Sequence, residues 1–138
     1  MQLVSPIDIE DAMRADLSEL IESDSPITSC FAPPPPDALA AKSLMVTSLG
    51  GTSATAVSNE HDVSVDVWAE TPAEAMQAAN WAAGRVASLP LRQFSSGRHY
   101  VTSEINALPY LNPDPNRPLL PRATFRATVN IRGLALRI

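Results

Sequence analysis

Alternation is the clearest signal along this chain. From 62 to 68, Val63, Val65 and Val67 point one way and Asp62, Ser64 and Asp66 the other, the period of a half-buried strand. From 122 to 132 the pattern repeats: Ala123, Phe125, Ala127, Val129 and Ile131 form one face, and Arg122, Thr124, Arg126, Thr128, Asn130 and Arg132 the other. Between these strands the period changes. Thr71-Pro72-Ala73-Glu74 reads as a capping residue, a proline at the first helical position and a glutamate at the third. It opens a helix running to about Leu89, with Ala75, Met76, Ala79, Ala82, Ala83, Val86 and Leu89 on its apolar arc. The alanines allow close approach to a sheet. Trp81 falls on the opposite, polar arc between Gln77 and Arg85. It either marks an interface or lies flat beneath Arg85.

A first helix is expected over 5–23, with Ser5 as cap and Pro6 at its first position. Ile9, Met13, Leu17 and Leu20 form its docking stripe. Asp8, Asp11, Glu19 and Glu22 fall on the other side and face water or a partner. Residues 27–32 read as a short extended piece, 43–49 as a strand, 50–60 as a Gly-led polar loop, and 97–105 as another strand. The prolines at 33–36 lack N–H groups for strand pairing and read as a rigid surface connector. Residues 106–121 carry five prolines (Pro109, Pro113, Pro115, Pro118, Pro121) together with Leu108, Tyr110, Leu111, Leu119 and Leu120. That composition predicts a long loop with its own apolar anchors. The order helix, strands, helix, strands predicts an α+β fold: a mainly antiparallel, twisted sheet of about four to five strands with two principal helices packed on one face.

Length and composition narrow the picture. The 138 residues, 45% hydrophobic and 18% charged, suit one folded domain. No apolar run is long enough to span a bilayer, so no membrane role is expected. The start, MQLVSPIDIEDAM, lacks the basic and apolar regions of a signal peptide. The net charge of −5 argues against nonspecific nucleic-acid binding. Charge is unevenly spread. Residues 1–24 hold seven acids against Arg14, while 115–138 hold Arg117, Arg122, Arg126, Arg132 and Arg137 and no acid. The arginines read mostly as one strand face. With Asp62 and Asp66 on the acidic strand, pairs with Arg122 and Arg126 are expected across the sheet if the two strands are neighbours.

The chemistry search returns little. Gly50-Gly51 lacks the lysine and helix of a phosphate loop. The single Cys30 reads as a buried, inert thiol, and His61 and His99 as structural. No catalytic group, cofactor or metal site is expected, and the chain reads as a non-enzyme.

The order of parts nevertheless has a likeness. An acidic first helix, SLMVTSLGG, VDVWAETPAEAMQAA, then YLNPDPNRP leading into RATFRATVNIRG, resembles the tail terminator (tail completion) proteins of long-tailed bacteriophages. The likeness spans nearly the whole chain; the proline run at 33–36 and the Pro-rich late loop depart from it. It implies a virion protein at the tail–neck junction, assembled in the host cytoplasm as a ring, typically hexameric, on the completed tail tube. The ring would end polymerisation and offer a surface to the neck or head-closure protein, with DNA passing through without specific binding. A head-closure or adaptor role fits size and composition equally, and a small ligand-binding domain outside phages predicts a pocket. On the terminator reading, the residues expected at subunit or partner contacts are Asp11, Glu19, Glu22, Asp62, Asp66, Trp81, Arg85, Tyr110, Arg117, Arg122, Arg126 and Arg132.

Overall fold

The structure is a computed structural model that describes residues 3–5, 7–53, 55 and 57–136, with 3–5 and 134–136 described through backbone pairing alone. The elements in chain order are β1 (Leu3–Ser5), α1 (Ile9–Ser18), β2 (Ser29–Phe31), β3 (Ser43–Ser53), β4 (Ser58–Trp68), α2 (Pro72–Ala87), β5 (Tyr100–Leu111), β6 (Arg122–Arg132) and β7 (Leu134–Leu136). Five strands form one mixed sheet in the order β2-β3-β4-β6-β5, in which only β2–β3 is parallel. As expected from the alternation, this is an α+β fold. β1 and β7 pair separately as a small antiparallel ribbon that the sequence pattern did not announce.

One face of the sheet makes the core. Leu44 and Val46 from β3, Val63, Val65 and Val67 from β4, and Ala123, Phe125, Ala127, Val129 and Ile131 from β6 are all buried there. α2 packs on β4, β5 and β6, and α1 on β2 and β3. The alanine stripe Ala75, Ala78, Ala79, Ala82 and Ala83 is buried in the same cluster. Thr71 caps α2 as predicted, its Oγ1 accepting from the Glu74 amide at 3.1 Å. The helix stops at Ala87, and a single 3-10 turn (Leu89–Leu91) follows because Pro90 cannot continue the ladder.

Several boundaries differ from the sequence reading. α1 begins at Ile9 and is capped by Asp8, whose side chain accepts from the Asp11 amide. Ser5 instead pairs with Leu134 in the ribbon, and Pro6 lies outside the described residues. The stretch expected to be a loop at 50–60 is mostly strand. β3 and β4 make a long hairpin, with a bulge between Ser48 and Gly50. Gly50 takes the positive φ of that bulge, and a Cβ at Gly51 would lie 2.0 Å from the Glu60 carbonyl oxygen. Both glycines therefore serve the strand instead of ending it. β5 begins three residues later than expected and runs on to Leu111. Pro109 is tolerated because β5 is an edge strand with irregular pairing there.

A buried carboxylate closes the helical layer. Asp16, 1% exposed, accepts from Arg98 Nε at 2.8 Å and its terminal nitrogen at 2.9 Å, from the Tyr100 hydroxyl at 2.6 Å and from Ser96 Oγ at 3.1 Å. Four donors offset the cost of removing one charge from water. Burial first, then the bond to Asp16, push the Tyr100 phenol far above its ordinary range. The cluster ties α1 to the start of β5. We predict that Asp16→Ala, which strands Arg98 beside a cavity, lowers unfolding free energy by about 3–5 kcal/mol. Tyr100→Phe should cost about 1 kcal/mol. Urea titrations of both variants check this, and a loss under about 1 kcal/mol for Asp16→Ala contradicts it.

Candidate functional site

The helices leave the other face of the sheet uncovered, and its chemistry follows from the pairing of β4 with β6. Core residues set the register: Val63 lies opposite Ala127, Val65 opposite Phe125 and Val67 opposite Ala123. On the far face this places Asp62 against Thr128, Ser64 against Arg126, Asp66 against Thr124 and Trp68 against Arg122. The strands are neighbours, but the expected Asp–Arg pairs do not form. Arginine and threonine alternate along β6, and bringing Arg to Asp requires a two-residue slide that would mismatch the core pairs.

Threonines take the partner role instead. Thr128 Oγ1 donates to Asp62 at 2.7 Å and accepts from Asn106 Nδ2; Thr124 Oγ1 donates to Asp66 at 2.6 Å and accepts from Asn112 Nδ2 at 3.1 Å. Two parallel Asn–Thr–Asp relays thus run from the β5 side across β6 to β4. Each threonine hydroxyl uses its donor and an acceptor, so the polarity of both chains is fixed. Exposed Arg126 stands between them and makes no salt bridge among the described residues. Beside it, Leu49, Asp62 and Asn106 line a shallow hollow of about 270 Å³. Tyr110, opposite Thr124, lies on the same face and is partly exposed.

One end of this face is covered. Trp68 is buried apart from the main core, roofed by the 112–121 loop. Its indole Nε1 donates to Asp114 Oδ2 at 3.3 Å, and the Arg122 guanidinium lies 5.9 Å from its ring centre. Asp114 organises the loop. Its Oδ1 accepts from the Asn116 amide at 3.0 Å, and Arg117 contacts its Oδ2 at 3.3 Å while also donating to the Pro36 carbonyl. Arg122 Nε donates to the Asn112 carbonyl at 2.7 Å. Arg117 and Arg122 are therefore loop fasteners. The expectation that the late arginines share one strand face holds for Arg122, Arg126 and Arg132 but not for Arg117, and Arg137 lies outside the described residues.

The remaining expected contact residues lie elsewhere. Asp11 is ion-paired on the surface with Arg14 at 2.8 Å. Glu19 accepts from the Ser95 amide at 3.2 Å and from its hydroxyl. Glu22 is exposed beyond the end of α1. Trp81 is half-buried against the core with Arg85 stacked 4.6 Å above its ring, the second of the two arrangements expected for it. The structure thus groups Asp62, Asp66, Tyr110, Arg122, Arg126 and Arg132 on the sheet face away from the helices, with Asp66 and Arg122 towards its covered end, and leaves Asp11, Glu19, Trp81 and Arg85 on the helical side. Sequence reasoning missed Asn106, Asn112, Thr124 and Thr128 as relay members, and Asp114 altogether. The Asn-Pro-Asp-Pro-Asn string was the available signal, since Asp accepting from the amide two residues on is a common turn device.

Reactive groups do not converge. Cys30, half-buried in β2, has its thiol pushed up to about 11, mainly by burial, so little thiolate exists at neutral pH. Burial also lowers the His61 pKa, against the opposing pull of Asp62. Among the described residues no cluster of His, Cys, Asp or Glu has metal-binding geometry, and no helix is long and apolar enough to cross a membrane. No protein-family model matches the chain, and no curated protein matches it.

The loop clamp has a pH signature. Burial pushes the Asp114 carboxyl up, but the Asn116 amide, the Trp68 indole, Arg117 and Arg122 together outweigh it and hold the group below its ordinary 3.8. A depressed folded value means the unfolded chain takes the proton more readily. The contribution is therefore complete above 3.8 and disappears as pH falls through the lower folded value. We predict that Asp114→Asn lowers stability at pH 7 by about 1–3 kcal/mol. Its stability should also decline less than wild type between about pH 5 and pH 2. Parallel thermal melts across that range decide the matter, and identical acid slopes would refute it.

Proposed function

We propose that this chain is a virion assembly protein of the tail-terminator kind. In this reading it joins head to tail with its own copies as a ring, six in the likeness the sequence suggests, on the end of a completed tail tube. The ring halts further addition of tube protein and presents a fresh surface to the neck.

The observation that carries the reading is the sheet face left uncovered by the helices. It is polar, yet its side chains are tied down by the two relays, so little ordering is lost when another surface meets it. Charges of both signs, Asp62 and Arg126 foremost, stand exposed on it. Such a face favours partner contact over a second core. The acids of α1 lie on the opposite side of the sheet. A head-to-tail contact uses two different surfaces and closes only at the right rotation, and the opposition of Arg126 to an acidic helix supplies complementary charge for it. The net charge of −5 favours passage of DNA through the ring without retention.

Purified chain mixed with elongating tail tubes should produce a ring of extra density at the tube end in electron micrographs and stop tube growth. Arg126→Glu should keep the wild-type melting temperature within about 2 °C, since surface changes rarely alter stability by more than 0.5 kcal/mol, and should fail to cap. Tubes that lengthen at an undiminished rate with wild-type chain present would refute the reading.

A further inference from the structure

Leu119 is 95% exposed, the most exposed large apolar residue described. It sits on a fixed backbone. The loop that carries it is held by Asp114 to Trp68 and Arg117, by Arg122 to the Asn112 carbonyl, and by the Ala69 amide to the Pro121 carbonyl at 3.0 Å. A pre-ordered loop presents this side chain to a partner at little ordering cost. Beside it lie two hollows of about 210 and 350 Å³. Leu111, Pro113 and Leu120 line the first, and Leu39 and Pro118 border the second. By contrast, the hollow at 92–99 is walled largely by polar and charged groups.

We propose that this corner is a two-fold self-association surface, in which Leu119 of one copy seats in the apolar hollow of a second copy and receives that copy's Leu119 in return. The occupant is a second copy because projection and hollow lie side by side on one surface, which a two-fold axis makes mutually complementary. The rim adds Asp37 and Arg117, bordering the 350 Å³ hollow. The same axis brings Asp37 of one copy towards the part-exposed edge of Arg117 of the other, whose guanidinium keeps its bonds to Asp114 and the Pro36 carbonyl. The contact is smaller than a standard interface, so the pair dissociates readily. It does not involve Arg126 and stands independently of the ring.

Sedimentation equilibrium of the full chain from about 10 μM to about 1 mM covers the range where such a contact dissociates. The 14.8 kDa monomer should give way to a species of twice that mass. Leu119→Asp should weaken pairing at least about tenfold without changing the melting temperature. Leu91→Asp, at an equally bare leucine outside the corner, should leave pairing intact, as should Arg126→Glu. A wild-type chain that stays monomeric, one that grows past the dimer, or equal loss in the Leu119 and Leu91 variants overturns the proposal. If capping of tubes fails while the dimer persists, the ring reading alone falls.

Discussion

The register of β4 against β6 is the constraint on which the rest depends. Three valines facing two alanines and a phenylalanine fix how the strands align, because burying each large side chain is worth about 1.5–3 kcal/mol. A slide that improved the outer face would forfeit that burial. The polar face therefore takes the partners the core leaves it: threonine opposite aspartate, serine opposite arginine, tryptophan opposite arginine. The two relays, the exposed Arg126 and the covered Trp68 are consequences of packing on the side away from them.

Two carboxylates extend that order to the irregular segments. Asp16 gathers donors from the turn before β5 and holds the helical layer to it. Asp114 gathers an indole, an amide and an arginine and holds the proline-rich loop over Trp68. In each case a buried acid is met by several convergent donors. In each it fastens a segment outside the regular hydrogen-bond ladders of the sheet.

What the sequence disclosed follows the same physics. Period-two alternation identified β6 and the second half of β4 with their buried faces, and Thr71-Pro72 located the start of α2 to the residue, because these signals are local. The glycines at 50 and 51 misled, since a bulge and a loop draw on the same residue. Pro109 misled because its missing N–H matters only in an interior strand, and position in the sheet is not a local property. The relays were illegible for a similar reason. Asp62 and Thr128 lie 66 residues apart, and alternation fixes their faces without fixing which residues meet. Asp16 counted among the acids of the first helix, and nothing near it in sequence revealed that Arg98 and Tyr100 would enclose it.

An uncovered, tied-down sheet face is the centre of this account, and side-chain accessibility reads it directly. Hydroxyl-radical footprinting of the chain, alone and mixed with tail tubes, compares Leu49 and Tyr110 on that face with Leu91 on the helical side. The account predicts that Leu49 and Tyr110 lose reactivity when tubes are present while Leu91 keeps its own. Unchanged reactivity at both, or protection confined to Leu91, would contradict it.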